Sequence, residues 1–565
     1  MKLRSFFTLL VCGIMLHVLS ADSLVIAKSS RRVRAHKSNV DLINAAAADS
    51  AMHTTMQDTD EEAPAVPLDS LSRAQTLTLR IDEWMNKPHI NKGQWGVRIE
   101  RLSTHAVIYD KNGNKPLIPA SNAKLFTAAA AFEKLGSDYR YRTAFVATTP
   151  LDKNGVLNGD LQIIGSGDPT LSRIFHDDDL SSLLRSWADS LIARGLKRIT
   201  GQIVVPEFFW AESGPVKGWD WDDLAESYAA FPDLMSINDN CVDLVVDPGD
   251  TIGQPARYSF EPTFLQGIDT IENDAITTER NSEYKLAVLP AIVTGQWKVF
   301  GSVPLAARTR RTRMTIRNPR EVWRRTFETV LKAKGVVVGE LPKKKKIAGL
   351  DAEAATVKRE PKPDTLWVVE SLPMKRIMRE VLKRSHNLSA EHLFRTVGYF
   401  ENDEWSTESG VEAVTNLMAK WGLDTTEFLL QDGSGLGRGA YVTPEIFCRL
   451  LEIISKKPWF GEFYEEMAQA GEPETTLQKR HLILPDRVII KAKTGTLAKV
   501  SSLSGYMFTP RDSIAFSILS NYYYGNVRRV KEVQNGILTE LAWSLADQGP
   551  RKPELNQSPS KAFHK

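Results

Sequence analysis

The chain of 565 residues is predicted to fold as an α/β (α+β) domain interrupted by an inserted β-rich region. Three observations lead there. Alternating apolar and polar runs stand at both ends of the patterned chain, "QWGVRIERL" and "HAVIYD" near its start, "RVIIKAKTG" to "SIAFSILSNYY" near its end. Helical periodicity fills the stretch from about residue 365 to about residue 455. Between the first strands and those helices, residues 141–359 break into short β-like runs separated by Gly, Pro and Asp. Strands from both ends close one sheet if the middle folds away from it. Residues 76–140 and 360–548 are therefore expected to form one domain in two segments, and 141–359 one or two inserted domains.

At the N-terminus, Lys2 and Arg4 precede an apolar run from Phe6 to Leu19, followed by small residues. This is the grammar of a signal peptide over residues 1–20, cleaved before Ala21. The run is short for a bilayer span. The basic "KSSRRVRAHK" behind it is atypical of an exported segment, so an uncleaved anchor holding the chain at a membrane stays open. Residues 21–75 are polar, lack a sustained period and read as a flexible tether. The first helix is expected in "LTLRIDEWMNKP" (77–88), followed by a hairpin of "QWGVRIERL" and "HAVIYD". "LIPASNAKLFTAAAAF" (118–133) then enters an apolar helix.

In the insert, "LQIIGSGDPTL", "RITGQIVVPEFFW", "CVDLVVDPG" and "YKLAVLPAIVTGQWKVFGSV" read as strands. One helix stands out, "NPREVWRRTFETVLKAKG", with Asn318 as N-cap, Pro319 at the first position and Gly335 past the end. Four helices follow: "LPMKRIMREVLKRS", "LSAEHLFRTVGYF", "GVEAVTNLMAKWG" and "TPEIFCRLLEIISK". "RVIIKAKTG" runs into "SSLSGYMFT" as one strand and "SIAFSILSNYY" forms another. The helix "VKEVQNGILTELAWSLAD" precedes a polar tail, 549–565.

A net charge of +3 is too small to argue for a nucleic-acid partner. The basic runs "RTRRTRMTIR" (308–317) and "KKKK" (343–346) read as solvated faces. Cys12 lies in the leader, leaving Cys241 and Cys448. No C-x-x-C pair exists, so a zinc or thioredoxin-type site is not indicated; buried free thiols and a single disulfide both stay open.

The chemistry begins at Ser121 and Lys124, three residues apart at the start of a helix and hence on one face. A serine hydroxyl needs a base to attack at neutral pH. A lysine serves only when neutral, and burial makes it so. The helix start also offers unpaired N–H groups to an oxyanion. S-x-x-K alone is a weak pattern, since "SEYK" (282–285) and "SPSK" (558–561) carry it without starting an apolar helix. Two further stretches strengthen it: Ser385-His386-Asn387 at a helix junction and Lys493-Thr494-Gly495 on a late strand.

In that order the three motifs resemble the signature of penicillin-binding proteins and serine β-lactamases. Ser121 and Ser385 are 264 residues apart, Ser385 and Lys493 only 108. The long first interval resembles class C, low-molecular-mass penicillin-binding proteins, the D-alanyl-D-alanine carboxypeptidase/endopeptidase family. "GSGDPTL" (165–171), "GWDWDDLAESYAAFPDLMSINDN" (218–240), "DGSGLGR" (432–438) and "AKTGTL" (492–497) are similar to that family too. The resemblance covers roughly residues 80 to 545. It implies a penicillin-binding-protein/β-lactamase-like, transpeptidase-type domain with inserted β-rich domains.

It further implies that Ser121 attacks the carbonyl between two D-alanines of a peptidoglycan stem peptide and that Lys124 takes its proton. Ser385 would relay a proton to the leaving nitrogen. Asn387 would hold the substrate amide and Lys124. Lys493, with Thr494, Gly495 and Thr496 of the same motif, would hold the terminal carboxylate, and the N–H groups of Ser121 and Thr496 would form the oxyanion hole. Lys493 would also help keep Lys124 neutral by like-charge repulsion. Asp223 and Tyr228 would face the amine of a diamino-acid side chain, with Asp220 and Asp222 offering equally good charges nearby; Arg438 would contact a distal carboxylate. Asp168 reads as a turn residue. Two departures, Gly437 where relatives often have serine and Ala498 where they often carry a larger polar group, bear on substrate preference. The implied activity is a serine-type carboxypeptidase with D,D-endopeptidase activity, exported to the periplasm or cell envelope. β-Lactams would be inhibitors, and no metal or organic cofactor is implied; the sequence sets no oligomeric state. A β-lactamase-like enzyme would need a deacylating glutamate that no motif supplies, and a binding module without turnover is the competing non-enzymatic reading. G-x-S-x-G, H-E-x-x-H, Walker and G-x-G-x-x-G motifs are absent.

Overall fold

The computed structural model describes residues 72–88, 90–291, 294–339 and 363–546. The expected signal peptide, residues 21–71 of the expected tether, the "KKKK" run and the polar tail lie outside the described residues.

A six-stranded antiparallel sheet holds the two chain ends together. Its strands are β1 (Gln94–Arg101), β2 (Val107–Lys111), β3 (Ala468–Gln469), β4 (Ile489–Leu497), β5 (Val500–Phe508) and β6 (Ser513–Asn521), in the order β3-β4-β5-β6-β1-β2. The two-residue period of β6 shows how the sheet is covered. Ile514, Phe516 and Ile518 enter one core with Leu77, Ile81, Val533 and Ile537, from α1 (Arg73–Met85) and the C-terminal helix (Val527–Leu545). Ala515 and Leu519 enter the opposite core with α2 (Lys124–Lys134) and the later helices. The mixed fold expected from the sequence is therefore helices on both faces of a sheet.

Two details differ from the sequence pattern. α1 begins at Arg73, ahead of residue 77 and inside the expected tether. Ser72 and Gln75 form a capping box, with the Gln75 N–H donating to Ser72 Oγ at 3.3 Å and the Ser72 N–H donating to Gln75 Oε1 at 2.9 Å. The polar first turn hides this start from an apolar-period reading. The "RVIIKAKTG…SSLSGYMFT" stretch is two strands: β4 and β5 pair antiparallel, Leu497 opposite Val500, with Lys499 at φ 62° in the reversal. No Asn-Gly or Asp-Gly marks that turn.

The insert is entered and left through neighbouring strands. Arg142–Ala147 pairs antiparallel with Asp364–Glu370, a strand the sequence pattern did not suggest. Arg142 faces Glu370, and their side chains meet at 2.8 Å. Two helices pack on each other in the insert, α3 (Leu180–Ala193) and α4 (Pro319–Ala333). α4 has the expected Asn318 cap, which accepts from the Glu321 N–H at 3.1 Å. α3 was not expected from the sequence, which read only as short β-like runs around it; Asp179 caps it, and Leu180, Leu184, Trp187, Ala188 and Leu191 form its buried stripe. Phe145, Trp187, Trp323, Phe327 and Trp367 cluster into an aromatic centre for the insert's own core. Full burial of a ring such as Phe145 or Phe327 contributes about 1.5–3 kcal/mol.

After the insert come α5 (Met374–Lys383), α6 (Asn387–Asn402), α7 (Thr407–Lys420) and α8 (Pro444–Ser455), followed beyond β6 by the C-terminal helix, α9. α6 and α7 lie side by side, and α2 packs on α6. Cys241 and Cys448 are both free and buried.

Candidate active site

Ser121 sits on a 3-10 turn, Ala120–Ala123, that leads directly into α2. The turn is held against the sheet rather than by its own cap. Asn122 Nδ2 donates to Ser504 Oγ at 2.7 Å, and Ser502 Oγ donates to the Pro119 carbonyl at 2.5 Å. Ala120 has φ 47°, an uncommon conformation for a residue with a Cβ. β4 approaches this turn so closely that a Cβ at Gly495 would lie 2.9 Å from the Ser121 nitrogen and 2.7 Å from the Pro119 oxygen. Glycine at 495 is thus what lets the lysine-bearing strand reach the serine turn.

Lys124 is the first residue of α2 and is wholly buried. Its Nζ lies 2.9 Å from Ser121 Oγ, 2.7 Å from Asn387 Oδ1 and 2.6 Å from the Ser434 carbonyl oxygen. Burial pushes its pKa down to about 7, although the carboxylates of Asp432 and Glu391 pull the other way. Lys493, also wholly buried on β4, donates to Ser385 Oγ at 2.8 Å and to the Thr494 carbonyl at 2.8 Å. Its pKa lies well below the ordinary lysine value, first through burial and then through the nearby charge of Lys124. Like-charge repulsion between the lysines thus bears on Lys493, whereas burial accounts for Lys124.

Ser385 occupies the sharp joint between α5 and α6, at φ 62°. The His386 N–H donates to the Glu380 carbonyl at 2.9 Å, and the His386 side chain caps α6. Asn387 opens that helix; its Nδ2 donates to the Tyr228 carbonyl at 2.7 Å, reaching into the insert.

The Ser434 carbonyl on Lys124 is placed by two buried acids that the sequence reading did not single out. Glu391 accepts from the N–H groups of Gly433 at 3.2 Å and Ser434 at 2.8 Å. Asp432 accepts from the Gly435 and Gly437 N–H groups, both at 2.6 Å, and from Trp219 Nε1 at 2.8 Å. Burial and the neighbouring Asp432 raise the Glu391 pKa to about 7. The signal for Glu391 was an acid amid the apolar "LSAEHLF"; for Asp432 it was its place before the glycines of "DGSGLGR". A Cβ at Gly437 would lie 2.4 Å from Gln431 Oε1, so the departure from serine there goes with tight packing.

Above this floor opens a cleft of about 700 Å³, lined among others by Ser121, Ser385, Asn387, Thr496, Asp223 and Tyr228. Arg438 and Ala498 line it as well. Tyr228 Oη donates to Asp223 Oδ1 at 2.6 Å. Arg438 Nε donates to Asp220 Oδ2 at 2.8 Å, and its Nη1 to the Ala498 carbonyl at 3.2 Å. Of the three neighbouring acids, Asp220 is therefore the partner of Arg438 and Asp223 the one on the cleft wall. Thr494 is buried and offers Lys493 its carbonyl. Asp168 accepts from the Thr170 N–H and hydroxyl, at 2.8 and 2.7 Å, as a turn residue does.

A serine hydroxyl on a buried lysine, beside a second buried lysine and beneath an open cleft, on this sheet-and-helix frame, defines a serine peptidase of the penicillin-binding class. The chain belongs to the D-Ala-D-Ala carboxypeptidase 3 (S13) family, whose family model matches residues 77–541. It is a serine-type D-Ala-D-Ala carboxypeptidase, a peptide hydrolase. It is 28% identical over 507 residues to a D-alanyl-D-alanine carboxypeptidase of Actinomadura sp. (strain R39), covering 88% of this chain and 90% of that one. It is 28% identical over 462 residues to D-alanyl-D-alanine carboxypeptidase DacB of Haemophilus influenzae, covering 79% of this chain and 88% of the relative. The crystal structure of penicillin binding protein 4 from Haemophilus influenzae shares the fold, with TM-score 0.67 at 24% identity over 81% of this chain and 98% of that one.

Proposed function

We propose that Ser121 is the nucleophile of this carboxypeptidase and Lys124 its general base. The observation that carries this is the contact of 2.9 Å between Ser121 Oγ and an amine that burial brings to a pKa of about 7. Ser121 Oγ forms a bond to the carbonyl carbon of the penultimate D-alanine as its proton passes to Lys124 Nζ. The oxyanion faces the N–H groups of Ser121 and Thr496. The C–N bond then breaks, Ser385 relays to the departing nitrogen the proton that Lys124 took, and D-alanine leaves with Lys124 neutral again. Water, deprotonated by Lys124, opens the ester and frees Ser121. Lys493 takes the terminal carboxylate. That anion supplies a counter-charge to its buried ammonium, so substrate binding favours its charged form.

The rim fits a long side chain: Asp223 and Tyr228 toward its ammonium, Arg438 toward a distal carboxylate once it parts from Asp220. The same cleft, much roomier than a leaving D-alanine requires, supports D,D-endopeptidase cleavage of a D-Ala–diamino-acid crosslink by the same steps. The substrate is peptidoglycan and the site of action the cell envelope, reached through the leader read at residues 1–20. Among the described residues no helix is long and apolar enough to cross a membrane. β-Lactams would acylate Ser121 as substrate mimics. Penicillin binding protein 4 of Haemophilus influenzae, in a second crystal structure with TM-score 0.65, is complexed with a β-lactam. Incubation with labelled penicillin and with crosslinked muropeptides tests the reading. Label on Ser121, D-alanine release and crosslink cleavage are expected; label retained in Ser121→Ala would overturn the nucleophile assignment.

A further inference from the structure

The residue between Ser385 and Asn387 has no part in the steps above, nor has the Asn238-Asp239-Asn240 segment of the insert that faces it. His386 Nδ1 lies 2.7 Å from Ser389 Oγ and 3.4 Å from the Ser389 nitrogen, whose N–H points at it. Nδ1 is therefore the acceptor, and the ring proton sits on Nε2. Nε2 is 3.6 Å from Asp239 Oδ1. That oxygen is buried and has no hydrogen-bond partner among the described residues. The other carboxylate oxygen, Oδ2, accepts from Arg313 Nη2 at 2.8 Å, and Arg313 Nη2 also donates to the Asn238 carbonyl at 3.1 Å.

Asp239 is presented by an unusually fixed piece of backbone. Asn238, Asp239 and Asn240 have φ of 54°, 60° and 52°, three successive left-handed residues with side chains. Such a run persists only where its surroundings over-determine it. Asn238 Nδ2 donates to the Cys241 carbonyl at 2.7 Å, and Asn240 Nδ2 donates to the Phe231 carbonyl at 2.7 Å. Ser385 is itself at φ 62°. One strained turn carrying the reacting groups thus faces another that is held rigid, across a gap just longer than a hydrogen bond.

We propose that His386 is a positioning residue of the active site: its Nε2–H closes on Asp239 Oδ1 and ties the Ser385–Asn387 turn to the rigid Asn238–Asn240 turn of the insert. The contact keeps Ser385 Oγ on Lys493 and Asn387 Oδ1 on Lys124, and it gives the insert a part in catalysis besides lining the cleft. Glu380 on α5, Lys124 on α2 and Arg313 of the insert strand Arg310–Thr315 also face the ring. Burial holds its pKa below the ordinary histidine value, so the link is a neutral donor to a carboxylate.

The proposal rests on Ser385 and Asn387 acting in acylation, and its test separates the two ideas. His386→Asn keeps an acceptor for the Ser389 N–H but drops the Nε2 contact; His386→Gln restores a donor where Nε2 stood. Full-length variants are assayed for acylation rate by fluorescent penicillin, KM for D-alanine release and Tm. His386→Asn is expected to acylate about 10-fold more slowly with KM and Tm little changed, and His386→Gln to recover to within about 3-fold of wild type. Asp239→Ala should reproduce the loss in the wild-type background and add little to His386→Asn. Wild-type acylation by His386→Asn, or full additivity of the two losses, would overturn the proposal. If His386→Asn does not fold, wild-type acylation by folded Asp239→Ala overturns it. Ser385→Ala is the control: if it acylates normally, the reading of Ser385 fails instead.

Discussion

The floor and the rim of the cleft use the same kinds of residue to different ends. On the floor, Lys124 and Lys493 are wholly buried, and every polar contact around them is made by a fixed side chain or carbonyl. On the rim, Tyr228 is 44% exposed, and the Arg438–Asp220 pair has side-chain exposures of 36% and 44%. Depth makes the difference. Burial outweighs two nearby carboxylates at Lys124 and lowers its pKa to about 7. The same charges at the rim stay screened by water, where an ion pair is worth about 0–1 kcal/mol. In the proposed mechanism the floor carries the chemistry and the rim biases which side chain is held.

Substitutions on the two levels should separate by size. The largest effect belongs to Ser121→Ala, which removes the proposed nucleophile: D-alanine release should fall by on the order of 10⁴-fold or more, with covalent penicillin labelling lost. Next is Lys124→Ala, expected to slow acylation by about 10²–10⁴-fold while the protein still binds substrate, read by stopped-flow labelling and by KM. A loss below tenfold would break the contrast between floor and rim. Glu391→Ala acts through the floor's support. It leaves the Gly433 and Ser434 N–H groups unpaired and should cost about 1–3 kcal/mol in urea unfolding, with slower acylation as the Ser434 carbonyl drifts from Lys124. The smallest effect is at the rim. Asp220→Asn releases Arg438 and should lower KM a few-fold for substrates with a distal carboxylate, an effect that fades with added salt, with kcat unchanged. A large change in kcat there would place the rim in the chemistry.

How much was legible follows the same division. Ser121, Lys124, Ser385, Asn387 and Lys493 could be read as a set because each sits in a short motif at a helix start or on a strand. The mixed fold was legible from periodicity, down to the Asn318 cap. What stayed hidden depends on partners remote in sequence. Glu391 and Asp432 matter through the backbone N–H groups they hold, and no local spacing shows that. Asp220, Asp222 and Asp223 are equivalent as letters; only Arg438 and Tyr228, brought up by the fold, distinguish Asp220 from Asp223. The strand Asp364–Glu370 was missed because its partner, Arg142–Ala147, lies at the far end of the insert in sequence. The β4–β5 hairpin was missed because its left-handed residue is Lys499 rather than a glycine.

The central claim is that burial makes Lys124 the base for Ser121, and the pH dependence of acylation tests it most directly. With its pKa lowered to about 7, Lys124 is neutral above that pH and protonated below it. The second-order rate of labelling by a non-titrating penicillin ester should therefore rise with pH, with a midpoint near 7 that is lost in Lys124→Ala. A rate that is flat from about pH 5 to about pH 9, or a midpoint at the ordinary lysine value, would contradict it.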